Sequence, residues 1–328
     1  MASNFPTPFG SKIIDFTLAV VMEVSSMKKV IAIVGPTAVG KTKLSIQLAK
    51  ELNGEIINGD AMQIYLGMDI GTAKVTIPEM EDIPHHLLDE KNPDEQYSVA
   101  EFQTAVRAKI DEISEGGKLP IIVGGTGLYV KAVLYDYIFS EEVASSGEQY
   151  EELTNEEIHA KLASIDPESA KGLHPNNRRR VIRALNIYYE TNETKSEILK
   201  KQEKKIIYDI TLIGLTDERP KLYERINARV DQMITDGLVG EVKKLYEAGI
   251  KKEAQSIQAI GYKEIYDYLE GITDLETAIQ LVKRNSRRLA KRQNTWFKNQ
   301  MDVTWFDVDV ANFDKTTDEV TAFIKEWI

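Results

Sequence analysis

The hydrophobic positions of this chain keep changing period. Val30-Ile31-Ala32-Ile33-Val34 is an unbroken β-branched run, the pattern of a strand covered on both faces. Leu44, Ile46, Leu48, Ala49 and Leu52 then follow with helical spacing. Further strand-like runs stand at Glu55 to Asp60, Leu119 to Val123, Asp209 to Leu215 and Val303 to Val308. Between them, Val99, Phe102, Val106 and Ile110 share one helical face, as do Leu222, Ile226, Val230, Met233 and Ile234. Such alternation predicts an α/β fold, a parallel sheet flanked by helices.

The pattern lapses at two places. From 136 to 172 the chain turns acidic and polar, with Glu141-Glu142, Ser145-Ser146-Gly147 and one modest helical segment at Ile158 to Ile165. This predicts a mobile helical insertion, with residues 27–135 and 173–328 as the core and its C-terminal helices. Residues 1–26 are expected to lie outside the fold as an extension. Their apolar run, Ile13 to Met22, is interrupted by Asp15, preceded only by Lys12, and far short of the ~20 residues that span a bilayer.

Between the first strand and its helix stands Gly35-Pro36-Thr37-Ala38-Val39-Gly40-Lys41-Thr42, which fits GxxxxGK[ST] in the strand–loop–helix context that pattern needs. The two glycines let backbone N–H groups turn inward toward one point at the helix N-terminus, and such a point attracts anions. Lys41 adds a full positive charge, and the Thr42 hydroxyl is the usual protein ligand of a phosphate-bound magnesium ion.

Other candidates cluster at strand ends. Asp60 closes the second strand and is either a carboxylate facing the same crevice or a helix N-cap. Gly67 to Lys74 reads as a loop over the site, and His85-His86 as part of an irregular stretch. Gly124-Gly125-Thr126-Gly127 is either a close backbone approach to a ligand or a plain tight turn. Arg178 to Arg183 open a helix where cations are unfavourable, so they face an anionic partner or simply solvent. Arg225 and Arg229, four residues apart, either clamp a phosphate or pair with neighbouring acids.

Composition narrows the chemistry. The 328 residues contain no cysteine, which excludes a disulfide framework, a thiolate metal site and a thiol nucleophile. Four histidines are too few and too poorly spaced for a zinc site. A cytoplasmic protein is expected. The net charge of −11 argues against a nucleic-acid partner, but Lys283, Arg284, Arg287, Arg288, Lys291, Arg292 and Lys298 form a run free of acids. Screening over about 10 Å lets such a patch act independently of the total.

Taken in order, these stretches resemble the tRNA dimethylallyltransferases, or tRNA isopentenyltransferases, relatives of the P-loop kinases. The matching pieces are Gly35 to Thr42, Asp60 to Tyr65 with Gly67 to Lys74, Pro84 to Leu87, Gly124 to Tyr129 and His174-Pro175-Asn176. Arg225 to Val230, Ala259 to Lys263 and Leu289 to Phe297 complete the set. Ala61 stands where the family usually has serine, and Leu66 where a basic residue is common.

The resemblance implies a P-loop kinase-like core that moves a dimethylallyl group from dimethylallyl diphosphate to N6 of the adenosine 3′ of the tRNA anticodon. It assigns Gly35, Thr37, Ala38, Val39, Gly40, Lys41 and Thr42 to the diphosphate, with Mg2+ on Thr42. Asp60 becomes the general base, with Thr126 and Arg229 as further catalytic residues. The implied tRNA contacts are Asp60, Ala61, Met62, Gln63, Thr126, Arg179, Arg180, Arg183, Gln258, Gly261, Tyr262 and Lys263. A monomer away from membranes is expected. The rivals are an ATP-dependent small-molecule kinase and a non-catalytic, nucleotide-gated RNA-binding module.

Overall fold

A computed structural model of the chain describes residues 27–137, 150–201 and 205–328. The expected extension at 1–26 lies outside them, as does much of the acidic stretch near 140. Contacts divide the chain into two units, one formed by residues up to Leu134 together with Ile207–Ile328, the other by Tyr135–Ile206.

The first unit runs β1 (Lys29–Val34), α1 (Lys41–Glu51), β2 (Gly54–Asn58), α2 (Ile77–Met80), β3 (His85–His86), α3 (Val99–Glu115), β4 (Leu119–Val123) and α4 (Gly127–Leu134). The second unit contributes α5 (Asn155–Ile165), α6 (Pro167–Gly172), α7 (Arg178–Thr191) and α8 (Lys195–Lys201). The chain then returns as β5 (Asp209–Thr216), α9 (Arg219–Thr235), α10 (Leu238–Glu247), α11 (Tyr262–Leu269), α12 (Leu275–Gln300), β6 (Thr304–Asp307) and α13 (Phe313–Lys325).

All six strands are parallel, in the order β3-β2-β4-β1-β5-β6. β1 is central because its apolar run has no solvent face: Val30 to Val34 are fully buried. It pairs Ile31 with Ile121 on β4 and Ile33 with Ile213 on β5. Leu44, Ile46 and Leu48 of α1 and Ile226 of α9 pack into the same core, joined by Val320 and Ile324 of α13. The order reverses at β1, so the turns after β1, β2 and β4 gather at one crevice at the strands' carboxyl ends, where open α/β sheets bind ligands.

Two expectations are corrected here. His85-His86 is not irregular: it adds a short edge strand, with Ile56 opposite His85 and Ile57 opposite His86, so the sheet has six strands rather than five. The second unit also extends well past residue 172. Val181, Ile182, Ala184 and Leu185 of α7 pack with Ile158 and Leu162 of α5 around Tyr150, so the arginine-bearing helix belongs to the inserted unit.

Candidate active site

The phosphate loop is shaped by positions only small residues fill. Gly35 has φ 138°, and a Cβ there would lie 2.5 Å from the Leu215 carbonyl oxygen. Ala38 and Gly40 also have positive φ, at 63° and 103°. The loop turns through them into α1, and the N–H groups of Ala38, Val39 and Gly40 find no protein acceptor among the described residues. Lys41 curls back over the loop, donating to the Gly35 and Pro36 carbonyls at 3.1 and 2.8 Å. Unspent N–H groups beside an ammonium make an anion site.

The electrostatics of the loop show what shares that site. Burial lowers Lys41 from 10.5 to about 8; the Asp60 carboxylate opposes the fall and the Arg229 guanidinium adds to it. Burial raises the Asp60 carboxyl above its ordinary range, against the pull of the Met62 N–H and of Lys41. Burial likewise lowers Arg229, with Glu79 partly offsetting it. Lys41, Asp60 and Arg229 therefore face one space. Among the described residues Arg229 has no hydrogen bond or ion pair; Lys41 feels the Asp60 carboxylate and Arg229 the charge of Glu79, which lies outside ion-pair contact, so the guanidinium beside Lys41 is open to an anion.

Asp60 caps no helix: its Oδ1 accepts the Met62 N–H at 2.9 Å in the turn after β2, and the next helix begins only at Ile77. Buried Asn58 holds the backbone there, accepting the Asp60 N–H at 2.8 Å and donating to the carbonyls of Asp60 and Leu87 at 3.0 and 2.9 Å. The glycine turn packs tightly against the protein itself, since a Cβ on Gly124 would lie 2.1 Å from the Gly59 oxygen; that close approach is to the turn after β2 and not to a ligand. Thr126 Oγ1 accepts the Ala61 N–H at 3.4 Å, which joins the two turns. Arg225 takes the ion-pair role, binding Asp217 and donating from Nε to the Ala38 carbonyl at 3.1 Å. Its Nη2 is buried without a partner among the described residues, where Arg229 makes no hydrogen bond or ion pair at all.

Gln63 and Tyr262 lie in a second network. The Gln63 amide donates to the Thr72 and Ala73 carbonyls at 3.1 and 3.3 Å, docking the Gly67 to Lys74 loop beside the Asp60 turn. Glu241 of α10 accepts the N–H groups of Asp69, Ile70 and Gly71 at 3.0, 2.8 and 3.1 Å, and the Tyr262 hydroxyl at 2.6 Å. Tyr262 was expected to touch tRNA, but it is fully buried, and burial and the Glu241 carboxylate push its hydroxyl strongly upward. A Cβ on Gly71 would lie 2.4 Å from its ring. Gly261 is buried too, whereas Gln258 and Lys263 are exposed. Ala61 is buried, and Met62 and Gln63 are half-buried.

On the second unit, Arg179, Arg180 and Arg183 are exposed, while Arg178 is spent on the carbonyls of Tyr150 and Leu153. Burial lowers Lys195, and the nearby charges of Arg180 and Arg183 lower it further, a sign of concentrated positive potential. The basic run on α12 divides by face. Lys283 pairs with Asp231 and Arg287 donates to Asn227, whereas Arg284, Arg288, Lys291 and Arg292 point outward.

The residue the motifs did not single out is Gln293, on the inner face of that basic helix. It bonds both the phosphate loop and the glycine turn, accepting the Thr37 N–H and donating to the Gly125 carbonyl. The signal available in the sequence is an amide between basic residues in a helix that is otherwise positive on its exposed face. Thr42 is exposed, and its hydroxyl makes no hydrogen bond among the described residues. No cluster of three or more His, Cys, Asp or Glu that could hold a metal occurs among them. An ion here would be shared between Thr42, water and phosphate oxygens, which is how Mg2+ prefers to bind.

A phosphate-loop cradle with a buried, raised carboxylate facing its lysine is an α/β site that can hold a phosphorylated ligand and accept a proton beside it. Comparison with known proteins sharpens this: the model of the IPP transferase family matches residues 63–300. The tRNA dimethylallyltransferase of Anoxybacillus flavithermus is 57% identical over 303 residues, 91% of this chain and 96% of that protein. The one from Bacillus cereus strain ATCC 14579 is 58% identical over 304 residues, covering 91% and 95%. Among solved structures, the full-length tRNA isopentenylpyrophosphate transferase of Bacillus halodurans matches with TM-score 0.70 at 51% identity, over 92% of this chain and 96% of that one. A eukaryotic dimethylallyltransferase captured acting on tRNA matches with TM-score 0.80 at 33% identity, over 91% and 80%. The chain belongs to the IPP transferase family, the tRNA dimethylallyltransferases.

Proposed function

We propose that this enzyme transfers the dimethylallyl group of dimethylallyl diphosphate to N6 of the adenosine 3′ of the anticodon in tRNA. The observation that carries the reading is the gathering of two desolvated cations, Lys41 and Arg229, at the phosphate loop, with the raised carboxylate of Asp60 facing Lys41. Lys41, Arg229 and the N–H groups of Ala38 to Gly40 hold the donor's diphosphate and take up the charge it gains as the allylic C–O bond breaks. The Asp60 carboxylate accepts the N6 proton as that nitrogen bonds the allylic carbon, while the C–O bonding pair leaves with the diphosphate. Burial suits Asp60 to this task by raising its basicity. Thr126 and the Asp60 to Gln63 turn lie on the acceptor side of the crevice, where an adenosine withdrawn from its stack would enter. Bound at Thr42, Mg2+ would neutralise diphosphate charge.

Arg179, Arg180 and Arg183 on the second unit, with Gln258, Lys263 and the outer face of α12, are the surfaces offered to the tRNA backbone. No described helix is long and apolar enough to cross a membrane; a cytoplasmic monomer is the state in which such an enzyme meets its tRNA. The kinase reading is disfavoured at β4. In P-loop kinases and ATPases a strand-end aspartate holds the metal, but this neighbour of β1 runs into Gly124-Gly125-Thr126. The test is transfer of labelled allyl from dimethylallyl diphosphate to undermodified tRNA. Label on the N6 of adenosine is expected, and absence of label with steady ATP turnover overturns the reading.

A further inference from the structure

The phosphate loop and the glycine turn leave different strands, β1 and β4, and one side chain bonds both. Gln293 accepts the Thr37 N–H on Oε1 at 3.0 Å and donates from Nε2 to the Gly125 carbonyl at 3.1 Å. It fits only because residue 125 has no side chain, since a Cβ there would lie 2.3 Å from Nε2. One turn along α12, Trp296 closes on Gly127, where a Cβ would lie 2.1 Å from the indole ring. The helix is thus seated on the turn at two points, and the amide sits between that turn and the loop. The task needs a donor and an acceptor on one uncharged head, which an amide supplies and a carboxylate or an ammonium does not.

We propose that Gln293 is a positioning residue for the transfer, its amide setting the distance between the loop that grips the donor and the turn that carries Thr126 on the acceptor side. The proposal rests on the transferase reading. By holding the Thr37 N–H, Gln293 anchors the front of the loop to α12 and leaves the N–H groups of Ala38, Val39 and Gly40 for the anion. Donor and acceptor must meet at near-attack distance, and a misplacement of about 1 Å costs on the order of 100-fold in rate. Gln293 adds no charge to either half-site, so its loss acts on the spacing and falls on kcat rather than on either KM.

Two variants separate spacing from bulk. Gln293→Met keeps the length and removes both hydrogen bonds; kcat should fall on the order of 10- to 100-fold, with KM for donor and tRNA changing less than about threefold. Gln293→Glu keeps the acceptor for Thr37 but donates to Gly125 only when protonated. Its rate relative to the unaltered enzyme at the same pH should therefore rise as pH falls toward the carboxyl range. Hydrogen exchange read by mass spectrometry should quicken in residues 35–42 and 124–127 of Gln293→Met and stay unchanged in the remaining strands. An unchanged kcat, a loss confined to KM, a flat pH ratio or unchanged exchange in either segment overturns the proposal. Failure of the unaltered enzyme to transfer allyl would instead refute the transferase reading, and the exchange measurement, which needs no turnover, still decides the role of Gln293.

Discussion

Raising the pH through the titration of Lys41 should release the donor before it affects the chemistry. Burial holds this ammonium at about 8 instead of 10.5, a displacement worth roughly 3 kcal/mol in favour of the neutral amine of the free enzyme. The sign has two consequences. The stability cost of burying the charge is present below pH 8 and is relieved between there and the unfolded value of 10.5. Donor affinity runs the opposite way: it is full below 8 and declines above, by about tenfold for each further pH unit, as the charged fraction shrinks. Bound diphosphate restores the charge, because an anion against Lys41 favours the ammonium. Steady-state rates between about pH 6 and pH 9.5 should therefore show kcat/KM for the donor bending downward near 8 while kcat stays level beyond that point. The donor's own last ionisation, at about 6, is complete before this window opens. Donor kcat/KM that stays flat to pH 9.5, or kcat and kcat/KM that fall together, would refute the placement of Lys41 against the leaving group.

Other consequences can be checked independently. Asp60→Asn should lower turnover by ~10²-fold or more with tRNA affinity nearly intact in a filter-binding assay; unchanged turnover would remove Asp60 from the chemistry. Replacing Arg288, Lys291 and Arg292 together with alanine should weaken tRNA binding and flatten its dependence on salt, and an unaltered slope would mark the outer face of α12 as merely solvated. Arg287 is left out of that set because it already bonds Asn227. Tyr262→Phe removes one of four hydrogen bonds to Glu241 and should cost about 1–2 kcal/mol, lowering Tm by a few degrees in calorimetry. An unshifted Tm would show that the Glu241 knot does not depend on it.

Much of this site is legible in the sequence because its chemistry is local. Gly35 to Thr42 declare themselves through two glycines, a lysine and a hydroxyl within eight residues, between a strand and a helix that periodicity alone locates. Asp60 is legible as a strand-end carboxylate, although only the structure chooses between a crevice-facing carboxylate and a cap. What stays hidden depends on contacts across the chain. Gln293 bonds Thr37 from 256 residues away, and an amide between basic residues in a shared stretch does not say which side of the helix it serves. Tyr262 belongs to a motif shared with the family, but an amphipathic ring serves a surface or a core equally well, and the Glu241 partner that settles the matter lies on another helix. β3 is two residues long and made of histidines, so no alternation could reveal it. The border of the second unit is hidden because the arginines of α7 share its sequence with Val181, Ala184 and Leu185, the buried face that binds this helix to α5.

In the proposed reaction the phosphate loop holds a diphosphate that leaves, not a nucleotide whose phosphoryl group moves. The most direct test counts products in one reaction: diphosphate released, orthophosphate released and allyl groups found on N6 of adenosine in digested tRNA. One diphosphate for every allyl group and no orthophosphate is expected, whether or not ATP is present. Orthophosphate formed from ATP with no modified adenosine would contradict it.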